Sequence, residues 1–219
     1  MNAERIKQQY IDIKTMNDKA KVLIAYNDDI SEPSRQFFYD CATDIRNHCI
    51  QKDVYYQTIA PSKLTETNIM AAVYDSNICY IAAHGTKCSI INEQEEDIIS
   101  THTTNYNFNG KSLFAVSCYC AQILKDELMK IGLKLFVGYN SSFTEFPGYE
   151  EFYTSANSGL KAFVEGASVD EMRKIMNGIY DECYKSLEVK NPLAADALFD
   201  NREALVIAGE GNLHLSDLL

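Results

Sequence analysis

Short apolar runs recur along the chain, each ended by turn residues, and they predict buried β-strands. Runs of this kind are typical of strands that are covered on both faces, as in a parallel sheet. The segments between them carry apolar residues at intervals of three and four, which is the spacing of amphipathic helices. Strands that alternate with helices predict an α/β fold with a parallel sheet and helices on both faces. The predicted strands are KVLIAYNDD (21–29), DVYYQTIA (53–60), NICYIAAHG (77–85), KSLFAVSC (111–118), LKLFVGYN (133–140) and ALVIAGEGNLHLSD (204–217).

The predicted helices begin and end at residues that favour helix ends. Ser31 or Ser34 is placed to cap the helix that follows the first predicted strand. Gly132 predicts the C-terminal end of the helix that follows the fourth predicted strand. Ser168 followed by Glu171 forms the sequence of a capping box. The predicted helices cover 31–51, 65–76, 121–132, 148–166, 168–189 and 191–204, and the polar segment 1–19 predicts a helical extension at the N-terminus.

One segment breaks the alternation of strands and helices. Residues 86–110 carry two short β-prone runs on either side of the acidic stretch NEQEED (92–97), which predicts an inserted hairpin with a mobile polar tip. The chain has no internal repeat, no low-complexity tract and no linker. We therefore predict a single domain over residues 1–219, within which 1–19 and 86–110 are additions.

Charge and composition narrow the possible functions. The formal net charge is -11 and no basic run exceeds two residues, which argues against nucleic acid as a partner because phosphate binding needs clustered Lys and Arg. An acidic surface favours a basic substrate, although a solvated surface is the simpler explanation. No apolar run approaches the length of roughly 20 residues that spans a bilayer, and the N-terminus lacks the apolar core of a signal peptide. These features predict a cytoplasmic protein without membrane contact.

The cysteines predict reduced thiols, most of them in the core. The chain has seven cysteines without a disulfide-like spacing and without an export signal. Four of them lie among periodic apolar residues and are interpreted as small core residues: Cys41, Cys49, Cys79 and Cys183.

The third and fourth predicted strands both end in residues with nucleophilic chemistry. His84 follows one apolar run and Cys118 follows the next. Ligands bind beyond the carboxyl ends of parallel strands, and neighbouring strands lie about 4.8 Å apart, so we expect the two side chains to meet. A nearby histidine accepts a thiol proton or stabilises the thiolate. The sequence therefore predicts a His84/Cys118 dyad, although each residue alone is more typical of a structural role.

Backbone features near the dyad fit the same chemistry. Gly85 lets a substrate approach the main chain closely, and its N–H group, with that of Cys118, is predicted to form an oxyanion hole. The helix predicted from residue 121 would also bring its N-terminal field to the thiol.

Other roles for these cysteines have weaker support in the sequence. Cys118 and Cys120 form a C-x-C pair, which is tighter than the usual C-x-x-C of zinc sites and redox pairs. His84 and Cys88 would complete a metal site only if the fold happened to collect them. The sequence accordingly predicts no metal and no cofactor, and the glycine-rich turn of a nucleotide or phosphate binder is missing after the first strand.

Two motifs resemble the caspase-like (clan CD) superfamily of cysteine peptidases, and within it the bacterial CHAT and related caspase-like domains. They are CYIAAHGTK (79–87), an apolar block that ends in His-Gly, and SLFAVSCYCA (112–121), an apolar block followed by a small residue, Cys118, the variable Tyr119 and the small residues Cys120 and Ala121. The segments 133–140, 152–172 and 205–215 also resemble the family, so that the likeness covers roughly residues 20–215. The resemblance implies a three-layer αβα sandwich around a sheet of about six mostly parallel strands, with Cys118 as the nucleophile and His84 as its partner.

The resemblance has departures that limit what it implies. Cys118 follows His84 by 34 residues, a shorter interval than the roughly 50 of caspases, and the caspase pentapeptide around the nucleophile is absent. Specificity for Asp is therefore not implied.

The resemblance also implies where the pocket for the P1 residue of the substrate lies. In this family the pocket is built from the end of the first strand, the residues before the nucleophile and the loop after the fifth strand. Here these are Asp28 and Asp29, Val116 and Ser117, and 139–142 with Tyr139 and Asn140. Two carboxylates with no nearby arginine favour Lys or Arg at P1, whereas the alternative interpretation of NDD (27–29) is a turn or cap cluster.

The sequence leaves two classes of function open. The first is a cysteine endopeptidase that cleaves a protein or peptide substrate after a basic residue and is regulated by a partner protein or a ligand, with the acidic hairpin tip as a candidate gate. The second is a catalytically idle caspase-like module used for binding or signalling.

Overall fold

Six of the nine strands form one sheet in the computed structural model, which describes residues 20–29, 34–59, 61–102 and 106–219. The strands are β1 (Lys21–Tyr26), β2 (Tyr55–Ile59), β3 (Ile78–Ala82), β4 (His84–Gly85), β5 (Ser89–Ile91), β6 (Asp97–Ser100), β7 (Ser112–Val116), β8 (Leu135–Tyr139) and β9 (Leu205–Gly209). The main sheet has the order β2-β1-β3-β7-β8-β9, in which β9 alone runs antiparallel to its neighbour. The predicted mostly parallel sheet of six strands is therefore confirmed.

Among the described residues, six α-helices pack on this sheet, and their positions follow the helical periodicity of the sequence. They are α1 (Arg35–Gln51), α2 (Glu66–Tyr74), α3 (Leu124–Lys130), α4 (Glu151–Val164), α5 (Val169–Lys190) and α6 (Pro192–Ala204). The predicted helix over 1–19 and the candidate cap Ser31 lie outside the described residues. Within the described ranges, no helix has both the length and the apolar surface needed to cross a bilayer.

Alternating residues of the central strands build two cores, one on each face of the sheet. On β1, Val22 and Ile24 face the core formed with α1, α4, α5 and α6, while Leu23 and Ala25 face the core formed with α2 and α3. This follows from the period of two along a strand, and it explains why β3, β7 and β8 are buried at every position. The result is the predicted αβα sandwich.

The helix ends agree in part with the sequence. The capping box of α5 is present: the Ser168 hydroxyl accepts from the Glu171 N–H, and the Glu171 carboxylate accepts from the Ser168 N–H at 2.8 Å. Gly132 follows α3 with a φ of +101°, a conformation that glycine adopts at little cost. Ser34 precedes α1, but its side chain makes no capping hydrogen bond.

The segment between β3 and β7 forms a separate small sheet. Strands β4, β5 and β6 pair antiparallel, with a bulge between Ile90 and Ile91. The buried side chains of Ile90, Ile98 and Ile99 join the core beside α2. The acidic tip is anchored by Asn92, which is 2% exposed, accepts from the backbone N–H groups of the tip, and donates to the Leu64 carbonyl. The sequence had indicated a mobile tip and gave no sign of this anchor.

Candidate active site

The ends of β3 and β7 bring His84 and Cys118 to one place. Ala82 is paired with Val116 in the parallel ladder, and the Ala83 N–H donates to the Val116 carbonyl at 3.2 Å. His84 and Cys118 each lie two residues beyond that pair, and both line one small cavity of about 60 Å³. The structure therefore brings together the two residues of the predicted dyad, because neighbouring parallel strands end side by side.

His84 lies against an aromatic ring of the first helix. Its imidazole meets the Phe38 ring edge to face, with ring centroids 5.3 Å apart, and Phe38 is 6% exposed on α1. His84 leaves the main sheet and pairs with Ile91 in the small sheet, although the sequence predicted one strand over 77–85. The chain therefore passes from the main sheet to the small sheet at His84, and it leaves the edge of the main sheet where the parallel strands end.

The Cys118 thiol lies under the loop that follows β8 (residues 140–150). The Phe143 N–H donates to the Cys118 sulfur at 3.3 Å, and the Ser142 hydroxyl oxygen is 3.9 Å from it. Phe143 is itself held by ring contacts with Phe37 and Tyr139, at centroid distances of 5.4 and 4.7 Å. These contacts hold the loop over the sulfur and leave little room beside it.

Gly85 packs directly on the backbone that carries the thiol. A Cβ atom at this position would lie 2.1 Å from the Ser117 Oγ and 2.5 Å from the Cys118 carbonyl oxygen. Both distances are far below van der Waals contact, so the close approach requires glycine. The main chain at Gly85 thus lies beside that of Cys118, which is the neighbourhood that the predicted oxyanion hole needs.

The two cysteines of the C-x-C pair point to different surroundings. Tyr119 between them has a φ of +59°, in the left-handed region that non-glycine residues seldom adopt. This turn leaves Cys118 partly exposed and buries Cys120 completely, where its thiol donates to the Ser117 carbonyl at 3.2 Å. Burial raises the pKa of the Cys120 thiol to about 12. Cys120 is a core residue, as are the four cysteines predicted to be so: Cys41, Cys49, Cys79 and Cys183.

The helix after Cys118 begins later than predicted. A run of turns over 118–123 precedes α3, which begins at Leu124 and has seven residues. The backbone N–H groups of Tyr119 and Ala121 donate instead to carbonyls of Ser141 and Tyr139. The expectation that a helix N-terminus acts on the Cys118 thiol is therefore wrong, because that helix does not begin next to it.

The predicted pair of carboxylates at the end of β1 does not line the cavity that contains Cys118. Asp28 forms an ion pair with Arg35 at the start of α1, so the expectation of no nearby arginine is wrong. The Asp29 N–H donates to the Asn27 Oδ1 at 3.1 Å, a hydrogen bond of the turn type that the alternative interpretation predicted. Neither Asp28 nor Asp29 is among the described residues that line the cavity.

The other predicted substrate residues have different positions. Ser117 lines the cavity with Val116, and its hydroxyl is buried without a hydrogen-bond partner among the described residues. Tyr139 is 1% exposed, and its hydroxyl shares a hydrogen bond with that of Tyr180 at 2.8 Å. Asn140 is exposed, and its carbonyl accepts from the Gln122 side chain. Tyr139 and Asn140 thus shape the loop after β8 rather than line the cavity.

Sequence reasoning missed the carboxylate that does line the cavity. Glu145, in the loop after β8, lies there with the thiol and the imidazole, and it makes no hydrogen bond or ion pair with a described residue. Burial raises the pKa of Glu145 above its ordinary value. Its position depends on the path of an irregular loop, and no periodic pattern in the sequence reports that path.

The described residues contain no group of three or more His, Cys, Asp or Glu side chains arranged to hold a metal ion. The groups that do converge in the cavity are a thiol, an imidazole and a carboxylate. A thiol and an imidazole at this edge of a parallel sheet are equipped for nucleophilic attack and proton transfer.

Comparison with known proteins shows the fold but no family. No family model matches the chain, and no curated protein matches it either. Among solved structures it is similar to gingipain R (RgpB), described as an Arg specific cysteine proteinase, with a TM-score of 0.57 and 12% sequence identity over 90% of this chain. The complex of the pro- and mature domains of Porphyromonas gingivalis RgpB matches with the same TM-score and identity. This chain spans about half the length of those chains, covering 47% of the gingipain R chain and 48% of the chain in the complex.

Proposed function

We propose that this protein is a cysteine peptidase of caspase-like fold, with Cys118 as the nucleophile and His84 as the general acid and base. The observation that carries the proposal is the shared cavity at the ends of β3 and β7, which holds both side chains. The motif resemblance to clan CD peptidases and the fold similarity to gingipain R support the same conclusion. The narrower likeness to CHAT domains belongs to this proposal as well.

The proposed reaction uses groups that the structure brings to one edge of the sheet. The thiolate of Cys118 attacks the carbonyl carbon of the scissile peptide bond, and the carbonyl oxygen gains negative charge. The backbone N–H groups of Gly85 and Cys118 stabilise that oxyanion. His84, having taken the thiol proton, gives it to the leaving amine, and water then hydrolyses the thioester.

We propose further that the residue before the cleaved bond is Arg or Lys. Glu145 is a carboxylate in the cavity without a described partner, so a basic P1 side chain would supply its missing counter-charge. Asp28 is less suited to this role than the sequence indicated, because Arg35 already neutralises it. The name of the structural neighbour, an Arg specific proteinase, is consistent with this choice.

The size of the cavity favours regulation of the site. A volume of about 60 Å³ beside the thiol is well below the roughly 300 Å³ or more of a typical ligand pocket. The loop over 140–150 must therefore move before a basic side chain enters. A partner protein or ligand that displaces this loop would activate the enzyme, as the regulated peptidase hypothesis expects.

The same cavity favours one alternative, a catalytically idle caspase-like binding module. A site that stays closed under the loop would keep its dyad and perform no chemistry. A thiol-reactive peptide probe with Arg at P1 separates the two functions. Labelling at Cys118 that is lost in His84→Ala supports the peptidase, whereas a folded protein that never labels there supports the idle module.

The decisive test is a positional peptide library with the wild-type protein and Cys118→Ala. We expect cleavage after Arg or Lys that is abolished in Cys118→Ala and kept in Cys88→Ala. Cys88 is the matched control because it is also a partly exposed free thiol and does not line the cavity. Continued cleavage by Cys118→Ala would overturn the proposal.

A further inference from the structure

A second, larger groove of about 510 Å³ adjoins the cavity that contains Cys118. Phe37 and Glu145 line both spaces, so they form the boundary between the groove and the cavity. The groove runs from there along the first turns of α1 and α4, under residues 146–150. A peptide whose P1 residue occupies the cavity therefore has a neighbouring side chain within reach of the groove.

The groove walls combine aromatic rings with carboxylates. Tyr149 and Tyr153 line it, together with Phe146, whose ring is stacked against that of the buried Phe152 at a centroid distance of 6.1 Å. Asp40, Glu150 and Glu151 are the carboxylates of the wall beyond the shared Glu145, and Lys190 also lines the groove. Aromatic faces beside carboxylates are the surroundings that a guanidinium group prefers, because it stacks and pairs at once.

The negative charges of the groove are only partly balanced. Lys190 pairs with Glu151 at 2.6 Å, and Ser186 donates to the same carboxylate, so that this acid is satisfied. Asp40 accepts only from the neutral Gln36 amide, and Glu150 only from the Tyr153 hydroxyl at 3.4 Å, among the described residues. Burial, followed by the charges of Glu150, Asp44 and Asp40, raises the pKa of the Tyr153 hydroxyl. The groove thus carries more negative than positive charge, because Lys190 is paired with Glu151, whereas Asp40, Glu145 and Glu150 form no ion pair with a described residue.

The end of this cleft beside the thiol also lacks partners. Ser117 is 2% exposed and lines the cavity, and its hydroxyl is buried with no hydrogen-bond partner among the described residues. A buried hydroxyl without a partner is costly unless a ligand supplies one. Groups that lack a hydrogen-bond partner or a paired cation among the described residues therefore extend along the cleft, from Ser117 through Glu145 to Glu150.

We infer that the groove binds a second basic side chain of the peptide substrate, adjacent to the residue whose side chain enters the cavity. The substrate class is thus a peptide segment with two neighbouring basic residues. The inference rests on the proposed function, because that function places the P1 side chain in the cavity beside the groove. Binding of a basic side chain in the groove does not itself require cleavage.

Equilibrium binding to the Cys118→Ala protein tests the groove without turnover. Three fluorescent peptides are compared: one has a pair of adjacent arginines, and the other two have a single arginine with alanine at one neighbouring position. The alanine is placed on either side of the arginine in separate peptides. The groove variant is Asp40→Asn with Glu150→Gln, and the matched control is Glu66→Gln, an exposed carboxylate on α2 at the opposite face of the sheet.

We expect the paired peptide to bind about five- to tenfold more tightly, which corresponds to about one cation–π contact and one exposed ion pair. The groove variant should remove most of this preference, while Glu66→Gln should keep it. An equal loss of affinity in the groove variant for the paired and the single-arginine peptides would show general charge attraction and overturn the inference, as would absence of detectable binding of the paired peptide. The same preference, together with a wild-type protein that neither cleaves a peptide of the library nor is labelled at Cys118 by the Arg probe, would overturn the peptidase proposal and leave the groove assignment standing.

Discussion

Gly85 shows how a single missing methyl group determines the packing of the candidate site. Alanine at this position would place its Cβ within 2.5 Å of the Cys118 carbonyl oxygen, so the strand ends would have to separate. We expect Gly85→Ala to lower the free energy of unfolding by about 1–3 kcal/mol, as for other overpacked sites, and to abolish peptide cleavage. Chemical denaturation and kcat/KM measure the two effects.

Gly178 is the matched control for that substitution. It lies in the middle of α5, and apart from its chain neighbours and the nearby helix backbone no atom lies within 4 Å of an added Cβ. Gly178→Ala should raise the free energy of unfolding by about 0.5–1 kcal/mol, because alanine is the better helix former. If Gly85→Ala behaved like Gly178→Ala, the close approach of Gly85 to Cys118 would be wrong.

We expect the Glu145 carboxylate to lower the free energy of unfolding at neutral pH while it favours a basic P1 residue in the substrate. Burial raises its pKa in the folded protein, so the stability that this group contributes is complete below the pKa of the unfolded chain. That contribution is lost as the pH rises through the higher folded pKa. Glu145→Gln should therefore be slightly more stable than wild type at pH 7, by roughly a few tenths of a kcal/mol after solvent screening, and the difference should vanish on acidification.

The same variant should lose the proposed preference for a basic P1 residue. Replacing the carboxylate by a neutral amide of equal size should lower kcat/KM for an Arg peptide by about tenfold, the loss of one charged hydrogen bond. Urea unfolding between pH 4 and pH 8 and kinetics on matched Arg and Gln peptides provide the measurements. An unchanged Arg/Gln ratio would exclude Glu145 as the P1 partner.

Asp28 and Glu145 show why the proposed P1 pocket is harder to predict from sequence than the close approach of His84 to Cys118. His84 and Cys118 each end an apolar run, and the register of a parallel sheet brings them together. Asp28 pairs with Arg35 only because α1 begins at that arginine, and Glu145 reaches the cavity only because of the irregular path of the loop over 140–150. Neither of these is encoded in a periodic pattern.

The start of α5 offers a prediction at the scale of a helix. Ser168 and Glu171 exchange hydrogen bonds there, and those bonds from Ser168 lower the pKa of the Glu171 carboxyl. Ser168→Ala should lower the free energy of unfolding by about 1 kcal/mol, the usual value for a lost N-cap, whereas Ser168→Thr should keep most of it. The hydrogen bonds to the Glu171 carboxylate stabilise the fold at pH values above the pKa of Glu in the unfolded chain, and this stabilisation is lost as the pH falls through the lowered pKa of Glu171 in the folded protein. The destabilisation caused by Ser168→Ala should therefore be smaller in acid.

The helices and strands differ in how well their ends follow from sequence. The capping box fixes the start of α5 because its two side chains act within one turn. The start of α3 was placed too early, since the amides of Tyr119 and Ala121 are used by carbonyls of the loop after β8. That partner is distant in sequence, and only the folded chain brings it near.

The direction of β9 is a property of the whole sheet. Its apolar run predicts a strand but not its direction, and three helices separate it from β8. The Asn140 N–H donates to the Ala204 carbonyl at 2.8 Å, so α6 ends at the carboxyl edge of β8. The chain therefore enters β9 from that edge and runs antiparallel to β8, paired from Tyr139 with Leu205 onward.

The burial of the cysteines predicts a reactivity pattern for the folded molecule. Five of the seven thiols are buried, and burial raises the pKa of each: Cys41, Cys49, Cys79, Cys120 and Cys183. Only Cys88 and Cys118 are partly exposed. Because the thiolate is the reactive form, a small alkylating reagent should modify at most these two in the native state and all seven after unfolding.

The loop over 140–150 should make a bulky alkylating reagent react more slowly with Cys118 than with Cys88, the other partly exposed thiol. Phe143 donates its N–H to the sulfur and stacks on Phe37, so Phe143→Ala should loosen the loop and raise the rate at Cys118. The rate at Cys88 is the internal control, since that residue does not line the cavity. Mass spectrometry of timed samples resolves the two sites. Equal rates in wild type and Phe143→Ala would show that the loop does not cover the Cys118 thiol, and they would contradict the proposal that a partner or ligand must displace it.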